Sequence, residues 1–139
     1  MKTILFLCVR NSARSQIAEG LAKKILGPSF RILSAGSNPG EVNPYAIRVL
    51  DELGIDISHH HSKSVTEIDP ATVDLIITLC DEEICPVFPS GVKRLSWSLP
   101  DPVIERASDQ VLLACFRETR DNIGKRLQEL KNQFLEKDL

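Results

Sequence analysis

A chain of 139 residues, 42% hydrophobic and 26% charged, has the length and apolar content of one domain, residues 1–139, that needs no metal or disulfide staple to bury its core. Its 17 Lys and Arg against 19 Asp and Glu give a net charge of −2, without the basic excess of a polyanion binder, so nucleic acid is not an expected partner. No apolar run approaches the roughly 20 residues of a membrane span, and the run at the start is broken by Arg10 with no small-residue cleavage site after it; a cytoplasmic protein, clear of membranes, is expected.

The first predicted element is a strand over residues 3–7 that runs into Cys8. The octapeptide Cys8-Val9-Arg10-Asn11-Ser12-Ala13-Arg14-Ser15 then reads as a thiol nucleophile inside an oxyanion cradle. A loop passing from a strand into a helix can turn several backbone N–H groups inward, here those around Asn11, Ser12 and Ala13, where they and the helix N-terminus favour a tetrahedral anion. The same field favours a thiolate over a thiol. Arg14 offers a planar fork of donors to two oxygens of that anion, and Ser15 can hydrogen-bond the thiolate or cap the helix. The pattern C-x5-R is weak by itself, but a strand before it and a helix after it supply the context the chemistry needs.

Ile17, Ala18, Leu21, Ala22 and Ile25 keep helical spacing until Gly27 and Pro28 stop them. A second strand, 31–34, leads into Ser34-Ala35-Gly36, and a second helix opens at Pro44, carries Ile47, Val49, Leu50 and Leu53, and closes at Gly54. His59, His60 and His61 are adjacent on an irregular segment, cannot all aim at one ion, and read as a solvated loop. Strands over 74–79 and 93–99 follow, and a long C-terminal helix carries the stripe Leu112, Phe116, Ile123, Leu127, Leu130 and Phe134. Cys115 lies at the edge of that stripe, half-buried.

Strands alternating with helices predict an α/β fold: a single-domain, four-stranded parallel sheet with helices on both faces. Ligands of such sheets sit beyond the carboxyl ends of the strands. Cys8, Ser34 to Gly36, Cys80 and Asp101 all fall on that edge. Asp101, stiffened by Pro100 and Pro102, is placed to protonate a leaving oxygen, although an Asp that merely opens a turn has the same sequence pattern. Cys80 and Cys85 bracket four residues and can close to the roughly 5.5 Å Cα separation of a disulfide. Structural thiols, or a zinc site completed by the distant histidines, are the competing readings of that pair, and no metal is expected.

These residues resemble the low-molecular-weight protein tyrosine phosphatase fold and, within it, the arsenate reductases that use a cysteine relay. The likeness is carried by the Cys8 loop through Gly20, by Ser34-Ala35-Gly36, Gly54-Ile55-Asp56-Ile57-Ser58, Thr78-Leu79-Cys80 and residues 97–102. Ala13 and Val103 stand where many phosphatases carry a second cysteine and a tyrosine, and Cys80 separates the two groups. The resemblance implies that Arg14 and the loop hold arsenate, Cys8 attacks arsenic, Asp101 protonates the departing oxygen, and Cys80 and then Cys85 carry a disulfide to the surface. Asn11 and Ser15 would shape the loop and stabilise the thiolate.

No tightly bound cofactor is implied. Thioredoxin would reduce the relay as a transient partner of a monomer. The pair Cys80 and Cys85 is closer in sequence than in the three-cysteine reductases, which leaves open regeneration by glutathione and glutaredoxin. The resemblance also admits a potassium ion near Asn11, Glu19 and Ser34, with no remaining ligand matched in this chain. The alternatives are a low-molecular-weight protein tyrosine phosphatase and a noncatalytic oxyanion-binding or redox-sensing module.

Overall fold

The structure, a computed structural model, describes residues 1–80 and 91–136. Strand β1 (Lys2–Cys8) leads into helix α1 (Arg14–Ile25), followed by β2 (Phe30–Gly36), α2 (Pro44–Asp51), β3 (Leu75–Cys80), β4 (Lys93–Leu99) and α3 (Asp109–Glu136). The four strands form one parallel sheet in the order β2-β1-β3-β4. That is the expected α/β architecture of one four-stranded parallel sheet; among the described residues the three α-helices share the core of one face, and short 3-10 helices lie on the other. No described helix is long and apolar enough to cross a membrane.

Alternation along β1 sends its side chains into two cores. Ile4 and Phe6 join a large cluster with Ile17 and Leu21 of α1, Val49 and Leu50 of α2, and Phe116, Ile123 and Leu127 of α3. Leu5 and Leu7 join Ala35, Val73 and Ile76 on the other face, against which Val65 and Ile68 pack from a region containing short 3-10 helices at Val65–Glu67 and Pro70–Thr72. On α3 the first core contact is Leu113, 9% exposed, where the spacing suggested Leu112, which is half-buried; both flank the same stripe.

Two glycines are set by close approach. A Cβ on Gly20 would stand 2.7 Å from Leu50 Cδ1 and 2.8 Å from Ile57 Cγ2, so α1 lies directly against its neighbours there. A Cβ on Gly36 would stand 2.5 Å from the Val9 carbonyl oxygen and 2.9 Å from the Asn11 nitrogen. Gly36 pairs with Cys8 in the sheet, and the loop after Cys8 rests on the bare backbone of β2.

The chain leaves β1 toward β2 on one side, and β3 flanks β1 on the other. The crevice where strand order reverses opens beyond the ends of β1 and β3. Cys8 ends one of these strands and Cys80 the other.

Candidate active site

Residues 9–13 carry the chain from β1 to α1, and their carbonyls are held from outside. The Val9, Arg10 and Ser12 oxygens accept from the backbone N–H groups of Asn38, Gly40 and Asn43 at 2.9, 3.0 and 2.9 Å. The Asn11 oxygen accepts from Ser62 Oγ at 2.6 Å. In a trans peptide the following N–H points opposite to the carbonyl, so the N–H groups of residues 10–13 are turned away from this outer shell. Asn11 makes the bend with φ of 49°, a left-handed conformation that Asn tolerates better than most residues. Ala13, at the start of α1, supplies no side-chain cap, and no acidic residue sits in the first turn, which leaves the helix N-terminus to an anion.

Cys8 is 2% exposed, and its sulfur lies 2.9 Å from Ser15 Oγ. Asn11 Nδ2 donates to the same hydroxyl at 2.7 Å. A cavity of about 300 Å³ opens over this arrangement, lined by Cys8, Arg10, Ser12, Ala13, Arg14, Asn43, Asp101 and Val103. Arg14 is 5% exposed and donates from Nη1 to the Leu99 carbonyl at 2.9 Å, which joins the cysteine loop to the segment leading to Asp101. Asp101 is exposed on the cavity wall, and its Oδ1 accepts from the Val103 N–H at 3.0 Å. It therefore makes the local turn and still presents its second carboxylate oxygen.

Cys80 is disulfide-bonded, whereas Cys8 and Cys115 are free thiols. Cys85 lies outside the described residues. Cys115 is half-buried beside a separate cavity of about 180 Å³ behind Asp101.

The reading of the three histidines as a solvated loop holds for His59 and His61 and fails for His60. The His60 side chain is 5% exposed, with Nδ1 3.0 Å from Gln16 Oε1 and Nε2 3.6 Å from Glu19 Oε2. Gln16 in turn places Nε2 within 3.2 Å of the Asn11 carbonyl oxygen, and within 3.1 Å of Asn11 Oδ1 and of the His61 carbonyl. Neither residue carries a sequence signal for this role, because His60 and the His61 carbonyl meet Gln16 from 44 and 45 positions along the chain.

Glu19 is buried at 5% exposure and accepts from Ser34 Oγ at 2.5 Å and from Lys23 Nζ at 2.8 Å, with Lys63 Nζ 3.7 Å away. Burial pushes its carboxyl up, but the bonds from Lys23 and Ser34, with the charges of Lys63 and His60, outweigh it and hold it below the ordinary carboxylate range. Burial likewise lowers His60, against the pull of Glu19.

Residues 3–139 match the family described as low molecular weight phosphotyrosine protein phosphatase. An arsenate reductase of Halalkalibacterium halodurans is 42% identical over 129 residues, covering 91% of this chain and 93% of its own length. A solved arsenate reductase in its phosphate-binding state superposes with a TM-score of 0.81 at 32% identity, over 96% of this chain and 98% of that one. A thioredoxin-dependent arsenate reductase of Corynebacterium glutamicum gives a TM-score of 0.73 at 30% identity, over 97% of this chain and 62% of that one.

Proposed function

The chain belongs to the low molecular weight phosphotyrosine protein phosphatase family, and from that membership we propose that it reduces arsenate to arsenite, with residues 1–139 acting as one catalytic domain. The observation that carries this is the pairing of a free Cys8 thiol, 2.9 Å from Ser15 in an Arg14-lined cavity, with a disulfide-bonded Cys80 on the end of the neighbouring strand. Hydrolysis of a phosphocysteine needs no resolving thiol on the neighbouring strand. A cysteine bound to arsenic(V) can instead be attacked at sulfur.

In this reading the N–H groups of Asn11, Ser12 and Ala13, together with Arg14, hold the arsenate oxygens. The Cys8 thiolate forms a sulfur–arsenic bond as the bond from arsenic to one arsenate hydroxyl breaks, and that hydroxyl takes a proton from Asp101 and leaves as water. Cys80, reduced, attacks the Cys8 sulfur; the sulfur–arsenic electron pair passes to arsenic, arsenite leaves, and a Cys8–Cys80 disulfide remains. The Cys85 thiolate then displaces Cys8 from Cys80, and a dithiol reductant reduces the new disulfide. A disulfide at Cys80 beside a free Cys8 is compatible with the state that precedes this last reduction.

Thioredoxin is the reductant proposed, on the likeness to the Corynebacterium enzyme. The proposal places the enzyme in the cytoplasm as a monomer, with arsenate as its small-molecule substrate. A potassium ion at Asn11, Glu19 and Ser34 does not fit: Asn11 Oδ1 is taken up by Gln16 and the Lys63 N–H, and Glu19 already faces the ammonium groups of Lys23 and Lys63. No step runs through such an ion.

The test is arsenite production by purified, reduced protein, run in parallel with thioredoxin plus its reductase and with glutathione plus glutaredoxin. Sustained arsenite with thioredoxin supports the full reading. Arsenite only with glutaredoxin keeps the reduction and removes thioredoxin. Aryl phosphate hydrolysis with no arsenite from either system overturns the proposal in favour of a phosphatase.

A further inference from the structure

The hydrogen bonds around Asn11 have a fixed direction, because backbone groups stand at two points of the network. The Lys63 N–H donates to Asn11 at 2.9 Å, so the Asn11 atom there is the oxygen Oδ1, and Nδ2 faces Ser15. Ser15 Oγ receives that bond, which directs its own proton toward the Cys8 sulfur at 2.9 Å. A sulfur that accepts a hydrogen bond is favoured as thiolate.

The second anchor is the His61 carbonyl, which can only accept. The Gln16 atom 3.1 Å from it is therefore Nε2, the donor, and the same nitrogen serves the Asn11 carbonyl and Asn11 Oδ1 at 3.2 and 3.1 Å. Gln16 Oε1 is left to accept from His60 Nδ1 at 3.0 Å. Gln16 is wholly buried. It grips the main chain and the side chain of Asn11 together, where the Cys8 loop takes up its left-handed bend.

We propose that Gln16 is a positioning residue for Cys8: its carboxamide, oriented by His60, locks the Asn11 amide so that the donor chain from Asn11 through Ser15 ends on the sulfur. The inference rests on Cys8 being the nucleophile. Gln16 touches neither the cavity nor the sulfur and acts through Asn11 and Ser15. With the lock removed, Asn11 Oδ1 keeps one donor, the Lys63 N–H, in place of two, and the Asn11 amide can shift from Ser15, whose proton can then turn from the sulfur.

The test is iodoacetamide alkylation of Cys8 in the reduced full chain, followed at the Cys8 peptide by mass spectrometry, with the rate at pH 6 divided by the rate at pH 9. In Gln16→Met, which keeps length and burial without the carboxamide, the ratio is expected to fall about tenfold, the loss of one hydrogen bond to a charged group. An unchanged ratio in folded Gln16→Met overturns the proposal. Should that variant not fold, His60→Gln, which retains a donor to Gln16, and His60→Leu, which does not, test the same chain one step out. The ratio is expected to hold in the first and to fall about threefold in the second, and equal ratios in the two overturn the proposal. The wild-type arsenite assay is separate, so a failure of arsenate reduction is not confused with a failure of the lock.

Discussion

Arg14 donates through Nη1 to the carbonyl of Leu99, 2.9 Å away and 85 positions along the chain. One guanidinium thereby faces the oxyanion cavity and also fixes the segment that carries Asp101. Arg14→Lys keeps the charge and loses the planar fork, so it cannot do both. Loss of one oxyanion donor costs about 10²–10³ in kcat, and arsenite production by this variant is expected to fall in that range. Because the charge is retained, a steady-state assay showing wild-type kcat would remove Arg14 from the oxyanion cradle.

Asp101→Asn preserves the bond to the Val103 N–H, since an amide oxygen accepts as a carboxylate does. The turn should therefore stand and the acid alone be lost. A drop of about a hundredfold in kcat is expected for arsenite formation at neutral pH, with the thermal melt unchanged. Full activity would reduce Asp101 to its turn.

Cys80→Ser separates reduction from hydrolysis. Arsenite turnover is expected to fall by on the order of 10⁶, as when an essential nucleophile is removed, while hydrolysis of an aryl phosphate at Cys8 continues. Retained arsenite turnover would mean that an external thiol attacks Cys8 directly.

Glu19 gives the fold an acid-sensitive element. Its folded carboxyl lies below its ordinary value, so its contribution to stability is fully present above about pH 4.5 and is lost as pH falls through the folded value. In Glu19→Gln the urea midpoint should drop most at neutral pH, and the gap from wild type should narrow below pH 4.5. A gap that stays constant down to acid-induced unfolding would show that the charge of Glu19 adds nothing.

Gly20→Ala sets two effects against each other. Helix propensity gains about 1 kcal/mol. Overpacking costs about 1–3 kcal/mol, and the new methyl would meet Leu50 and Ile57, which are buried and have little room to retreat. Net destabilisation of about 1 kcal/mol is expected by urea denaturation, and a more stable variant would show that α1 and α2 can separate without penalty.

The Cys8 loop was legible because its chemistry lies in one run of eight residues between a strand and a helix. Cys80 and Asp101 were legible through a rule of parallel sheets that gathers strand ends. Gln16 was hidden: on a helix it reads as one polar residue among others, and it takes the approach of the 60–63 segment to complete the partners that begin with Asn11. His60 was misread for the same reason, since three neighbouring histidines look alike in sequence and burial selects one. The shift from Leu112 to Leu113 on α3 is finer than helical spacing resolves, since both positions stand one turn before Phe116.

The strand order β2-β1-β3-β4 bears on how the chain emerges during synthesis. The segment bearing Cys8 is made first, yet its outer carbonyl partners lie at residues 38–43 and 62, and the Arg14 anchor waits for Leu99. Contacts so distant in sequence form late in folding. A nascent chain that has not reached β4 therefore carries Cys8 without the Arg14–Leu99 anchor, and the cavity around it is complete only when the last strand has closed the sheet.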